Sequence, residues 1–204
     1  KTQCAVFKGT DRAVFLDKRE FAGPIYSQIE NAVDFVLRNI RLGAIIDGLV
    51  RKETYELPPE AIREMIVNAH CHRNLLDESC IQVAVYDDRL EITSPGGLYN
   101  GMTYEEVMNG HSKIRNRGIA NIFSQMGLVE AWGSGIKRIF NAAKEYGLPE
   151  PRFQEFDNMF RVELFRNSLP IAQKNEDIGE TSEKHRRNIG EASEKHQITG
   201  LNDT

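Results

Sequence analysis

The sequence predicts an α+β fold: a two-layer sandwich of a mixed or antiparallel sheet with helices on one face. Three observations predict it. Segments with apolar residues at helical spacing alternate along the chain with stretches of period-two alternation that read as hairpins. Clusters of Gly, Pro, Asp and Asn separate these segments, as turn chemistry requires. The composition of the 204 residues, 40% hydrophobic and 27% charged, is that of an ordinary globular chain. Helices and antiparallel hairpins in this order favour a sheet covered by helices on one side.

Taken in order, Val6 to Lys8 and Ala13 to Leu16 read as short strands around the turn Lys8-Gly9-Thr10-Asp11. Two strands alone are marginally stable, so residues 1–23 read as the end of a preceding domain, closed by the break at Gly23-Pro24. The chain opens on Lys1 without an initiator Met, which is expected of a piece of a longer protein. A helix follows, with Ile25, Ile29, Ala32, Val33, Val36, Leu37 and Ile40 at helical spacing. Pro58-Pro59 opens the next helix, where the missing proline N–H costs least. That helix runs to about His72, with Ile62, Met65, Ile66 and Ala69 on one face. Glu60, Glu64, Asn68 and His72, each four apart, form a polar stripe on the opposite face.

Ile81, Val83 and Val85 alternate into a turn at Asp87-Asp88, and Leu90 and Ile92 alternate back to an abrupt end at Ser94-Pro95-Gly96-Gly97. Residues 98–118 are weakly patterned, apart from a short helix that Thr103 and Glu106 cap as a capping box. Asn116 to Met126 reads as a helix stopped by Gly127, and Gly133-Ser134-Gly135 precedes another that Gly147 ends. The last hairpin uses Phe153, Phe156, Phe160, Val162 and Leu164 around Asp157-Asn158. The folded domain is thus expected over 24–166, and 167–204 as a polar linker or tail. In that tail Ile178-Gly-Glu-Thr-Ser-Glu-Lys-His-Arg recurs as Ile189-Gly-Glu-Ala-Ser-Glu-Lys-His-Gln, with one Ile per repeat. So thin an apolar seam predicts a solvated segment that is disordered alone. The competing reading is the start of a helical segment.

Bulk properties remove several classes of function. No run approaches the ~20 apolar residues of a membrane span, so no membrane role is expected. Cys4, Cys71 and Cys80 fit no zinc spacing and read as free thiols in a reducing cytoplasm. A net charge of −4 argues against a nucleic-acid footprint over the whole surface. The chain has no G-x-x-x-x-G-K-[ST] loop, hence no helicase motor. His70 and His72 lie about 200° apart on a helix and cannot share one metal ion.

The candidate chemistry begins with Glu64 and Asn68, one helical turn apart. A carboxylate base and an amide oxygen placed so could act around one metal-bound phosphate. Gly96 and Gly97 allow close backbone approach. A helix opening at Gly133-Ser134-Gly135 offers free N–H groups to phosphate.

These runs resemble a known family. Ala61-Ile-Arg-Glu-Met-Ile-Val-Asn-Ala-His-Cys-His-Arg, Leu90-Glu-Ile-Thr-Ser-Pro-Gly-Gly-Leu, Ile114-Arg-Asn-Arg and Gly127-Leu-Val-Glu-Ala-Trp-Gly-Ser-Gly-Ile occur in that order. Together they look like the signature of the RecG-like C-terminal domain of bacterial proteins described as DNA helicases or transcriptional regulators. That family is similar to the GHKL ATPases and their Bergerat fold. Residues 1–23 resemble the end of the AlbA-type, Schlafen-like DNA-binding domain that often precedes it. The resemblance implies ATP and Mg²⁺ as cofactors. It implies Glu64 as the water-activating carboxylate and Asn68 as the magnesium ligand. It places Ser94, Gly96 and Gly97 beside the adenine, and 98–118 as a lid. Gly133, Ser134 and Gly135 then lie at the phosphates, and Lys113, Arg115 and Asn116 are lid residues for phosphate. Ser94 stands where GHKL enzymes carry an Asp, and Leu98 where they carry a Gly.

The expected function is a regulatory module of a DNA-associated protein with slow, Mg-dependent ATPase activity. DNA would be met through the full-length protein and only weakly by this chain. The alternative is a non-enzymatic scaffold that forms a homodimer or positions DNA-binding parts.

Overall fold

A computed structural model describes residues 1–47, 50–129 and 134–167. Six strands form one sheet: β1 (Thr2–Phe7), β2 (Phe15–Phe21), β5 (Ile81–Val85), β6 (Arg89–Pro95), β7 (Arg152–Phe156) and β8 (Met159–Phe165). Their order is β2-β1-β5-β6-β8-β7. Every pairing is antiparallel except β1 with β5, which is parallel, so the sheet is mixed. A separate two-stranded hairpin joins β3 (Leu42–Asp47) to β4 (Val50–Tyr55). The helices are α1 (Ile25–Asn39), α2 (Pro59–His72), α3 (Tyr104–Met108), α4 (Arg117–Gln125) and α5 (Gly135–Glu145).

The first two strands, expected to end a preceding domain, join this sheet. β1 lies inside the sheet, between β2 and β5, with Cys4 opposite Val83. It is as much part of the sheet as the hairpin β5–β6. The strands expected at either side of Gly9 are longer and lie farther from it: β1 ends at Phe7 and β2 begins at Phe15. The hairpin β3–β4 was not expected. The expected 167–204 tail and its repeat lie, from 168 on, outside the described residues, as does Gly133.

Local chemistry explains the remaining elements. Gly23, at φ +94°, and Pro24 turn the chain into α1. Pro58 and Pro59 set the start of α2, with Pro59 as its first residue. Asp157 and Asn158 take φ of +46° and +57°, as a tight primed turn between β7 and β8 demands. Thr103 and Glu106 form the expected capping box on α3: the Thr103 Oγ1 accepts from the Glu106 N–H, and the Glu106 carboxylate accepts from the Thr103 N–H.

One face of the sheet and the helices share the core. Ile62, Met65 and Ile66 of α2 meet Ile81, Val83, Leu90, Ile92 and Leu164 of the strands, with α1 and α5 flanking α2. Burying each such side chain contributes about 1.5–3 kcal/mol. Because α2 is enclosed on three sides, even Glu64 (4% exposed) and His70 are buried. Of the polar stripe of α2, Glu64 is buried and Asn68 and His72 are half-buried, while Glu60 stays exposed. A short network holds the helix to its neighbours: His70 Nδ1 lies 2.8 Å from the Ile66 carbonyl oxygen and Nε2 lies 2.9 Å from Thr2 Oγ1.

Among the described residues no helix covers the other face of the sheet. Glu91 and Glu163 stand directly opposite each other there, both 2% exposed. Like charges in that position repel, and arginines resolve the conflict. Arg12, Arg89 and Arg161 surround Glu91, while Arg89 and Arg152 hold Glu163. Arg89 and Arg161 also lie over the rings of Tyr86 and Phe156, so their stems cover apolar surface that a second layer would otherwise cover. Among the described residues no helix is long and apolar enough to cross a membrane.

Candidate functional site

A cavity of about 230 Å³ lies between α2, the ends of β6 and β8, the segment 98–114 and α5. Each wall has a sequence reason. The i, i+4, i+8 spacing along α2 turns Glu64, Asn68 and His72 into it. β6 ends on Ser94, and Gly96 and Gly97 carry the chain over the rim. Met102, Val107 and Lys113 of the covering segment form the roof. The start of α5 contributes Gly135, Ile136 and Ile139.

The expected residues Glu64, Asn68, Ser94, Gly96, Gly97, Lys113 and Gly135 thus share one cavity. Asn68 Nδ2 donates to Glu64 Oε1 at 3.1 Å. On the far side of the carboxylate, Arg138 Nε stands 3.8 Å from Glu64 Oε2. Arg138 also donates through Nη2 to Ser134 Oγ at 3.1 Å, at the head of α5. A Cβ on Gly135 would collide with the Glu64 carboxylate and crowd Asn68, so glycine is what lets α5 approach α2. Nothing in the sequence marked Arg138 for this site; its only signal is its place in the first turn after Gly135.

Other glycines serve the protein's own packing. A Cβ on Gly97 would run into the Glu155 carboxylate, which accepts the Leu98 N–H at 3.0 Å. Gly96 has φ +96° and abuts Asn74 and Arg115. Two expected phosphate residues point elsewhere. Arg115 donates from Nη2 to the Gly97 carbonyl at 2.6 Å and lies over the Tyr99 ring. Asn116 donates from Nδ2 to the carbonyls of Cys71 and Arg73, at 3.0 and 2.8 Å, capping the end of α2. Lys113 reaches the roof but donates to the Asn100 carbonyl at 3.0 Å.

The titratable groups inside are tuned by burial. Desolvation, and then the nearby Arg115, push the His72 imidazole below its ordinary value, so it is neutral at pH 7. Burial, reinforced by Glu64, raises the Cys71 thiol to about 12, which keeps it from acting as a nucleophile. Among the described residues no group of three His, Cys, Asp or Glu side chains is placed to hold a metal ion. A metal here would need ligand oxygens besides the protein's own.

The comparisons with known proteins agree with this architecture. Residues 78–164 match the family model described as "Putative ATP-dependent DNA helicase recG C-terminal". The match takes in Ser94, Gly96 and Gly135 but not α2, so Glu64 and Asn68 lie outside it. Among solved structures, the DIP2311 protein from Corynebacterium diphtheriae superposes with a TM-score of 0.73 at 24% identity. That alignment covers 80% of this chain and 34% of the other, so the chain spans about a third of that relative. At this identity the likeness shows the fold alone, an α+β sandwich. No curated protein matches the chain.

Proposed function

We propose that the cavity binds a nucleotide, ATP with Mg²⁺, and that the domain is the nucleotide-dependent module of a bacterial DNA-associated regulatory protein. One observation carries the reading. Glu64 and Asn68, Ser94 with Gly96, and Gly135 come from three separate stretches of chain and line the same cavity.

The residues present suit the group. Asn68 spends an amide hydrogen on Glu64, which leaves its carbonyl oxygen as the available acceptor for a cation. Mg²⁺, when bound with the nucleotide, neutralises phosphate charge. Among the described residues Glu64 is the carboxylate on the cavity wall, and it takes the proton from an attacking water. Arg138 and the head of α5 hold that carboxylate in place. Gly135 leaves room at the head of α5, and the apolar roof excludes water. The cavity turns over slowly in this reading, and its occupancy acts as a switch.

The second reading is a scaffold without nucleotide, and two observations favour it. Ser94 puts a neutral hydroxyl at the base end. Gly97 leaves its space to Glu155 rather than to the cavity. Titration calorimetry of the 204-residue chain with Mg·ATP separates the two. Saturable, Mg-dependent heat is expected, and its absence at millimolar nucleotide sinks the first reading. Contact with DNA belongs in this proposal to the full-length protein. The net charge of −4 should leave this chain a weak binder whose affinity falls steeply with salt.

A further inference from the structure

The cavity has two unlike ends, set along α2. Glu64 and His72 both line it, eight residues apart on one face of the helix. At 1.5 Å per residue that separates them by about 12 Å. The Glu64 end gathers charge: Asn68, Arg138 and the head of α5 stand around the carboxylate. Among the described residues no other carboxylate lines the cavity, so the His72 end is neutral.

Ser94 shares that neutral end. It continues the helix-facing row of Leu90 and Ile92 along β6, opposite Phe160 of β8. The Asn74 N–H, two residues past His72, donates to the carbonyl of Pro95, next to Ser94, at 2.7 Å. That bond fixes the end of α2 against the end of β6 and brings His72 and Ser94 to the same place.

Ser94 is 4% exposed and lines the cavity, yet its hydroxyl has no hydrogen-bond partner among the described residues. A hydroxyl buried without a partner is costly, so this one marks where a ligand atom belongs. His72 beside it makes no hydrogen bond among the described residues either, and burial keeps its imidazole neutral. A hydroxyl and a neutral imidazole can each give or take a hydrogen bond, whereas a carboxylate only takes. Adenine offers a 6-amino donor beside an N1 acceptor, and hypoxanthine a 6-oxo acceptor beside an N1–H donor. Rotation of the hydroxyl and a change of imidazole tautomer serve either edge.

Resting on the nucleotide reading above, we propose that Ser94 and His72 form a base subsite that takes 6-amino and 6-oxo purines alike. The cavity then binds purine nucleoside triphosphates without selecting adenine, and Ser94 is the residue that sets this tolerance.

Titration calorimetry of the full chain with Mg·ATP, Mg·inosine triphosphate and Mg·tripolyphosphate tests it, because the two nucleotides differ only at the edge in question. Their Kd values should agree within about tenfold, and tripolyphosphate should bind at least about tenfold more weakly than either. Ser94→Asp should shift the ratio toward ATP by about tenfold or more, since a carboxylate accepts from the amino group and opposes the 6-oxo group. Ser94→Ala should weaken both nucleotides to the same extent, and carries the test if Ser94→Asp does not fold. A preference of the unmodified chain for ATP of more than about tenfold overturns the inference. So does a ratio that folded Ser94→Asp leaves unmoved, or an unequal loss in Ser94→Ala. Tripolyphosphate binding as tightly as ATP overturns it too, since the base would be idle. Failure of all three ligands sinks the nucleotide reading with it; ATP binding without inosine triphosphate sinks this inference alone.

Discussion

Asn68 donates an amide hydrogen to Glu64 one helical turn back, at 3.1 Å, while Arg138 stands on the other side of the carboxylate. The carboxylate is drawn toward α5, and the amide keeps its oxygen for the cavity. If Mg·ATP binds, Asn68→Ala should weaken it roughly tenfold, about 1.4 kcal/mol, and chiefly when Mg²⁺ is present. Glu64→Gln should spare binding but lower hydrolysis by about 10²–10⁴-fold, as expected for loss of a general base. Calorimetry with and without Mg²⁺, beside a phosphate-release assay, reads both. Equal loss with and without the metal would remove Asn68 from that role.

Gly135→Ala should be costly, since the new methyl group meets the Glu64 carboxylate and Asn68 at the helix–helix contact. Overpacking of this kind costs typically about 1–3 kcal/mol. Gly118→Ala is the contrasting case, because nothing lies within 4 Å of a Cβ there and the residue sits inside α4. It should stabilise the protein by up to about 1 kcal/mol through helix propensity. Urea denaturation of the two variants should move in opposite directions.

Glu91 is the shared counter-charge for Arg12, Arg89 and Arg161 on the helix-free face of the sheet. Glu91→Ala would leave these cations facing one another over a buried site. A loss of about 3 kcal/mol is expected, in the range for breaking a buried pair. Glu20→Ala, which removes an exposed pair with Lys1 and a hydrogen bond from Gln3, should change stability far less. Equal effects would mean that the lattice is only a surface feature.

Acid should weaken the fold through His70. Burial is the largest cause of its pKa falling to about 4 in the folded chain, against an ordinary 6.5. Between those values the unfolded chain binds a proton that the folded chain refuses, so stability falls as pH drops from 6.5 to about 4. The shift corresponds to at most about 3 kcal/mol. His70→Gln should flatten this part of the stability–pH curve, measured by urea midpoints across the window. A curve unchanged by the substitution would assign the acid loss to other groups.

Much of the architecture was legible in the sequence because it depends on local signals. The period of α2, the capping box at Thr103 and the primed turn at Asp157-Asn158 each follow from a few neighbouring residues. The gathering of Glu64, Asn68, Ser94, Gly96 and Gly135 was legible only through the order of four motifs; spacing along the chain gives no distance between them. The hairpin β3–β4 did have a turn signal, the Asp47-Gly48 dipeptide between two strand-like runs.

What the sequence by itself determined was the kind of each element and which faces of it are apolar, since helical and strand periods are written into the order of side chains. Tertiary structure alone decided where β1 belongs, because its partner β5 is more than seventy residues away and a parallel pairing leaves no local trace. It also decided what the polar stripe of α2 faces. Glu64, Asn68 and His72 would meet water on a lone helix, but α1, α5 and the sheet enclose α2 and turn these three to the cavity, while Glu60 at its start stays exposed. It also set the hydrogen-bond partners of Arg115 and Asn116, which are carbonyls brought close by the fold. Distance through space, which no residue order encodes directly, made those assignments.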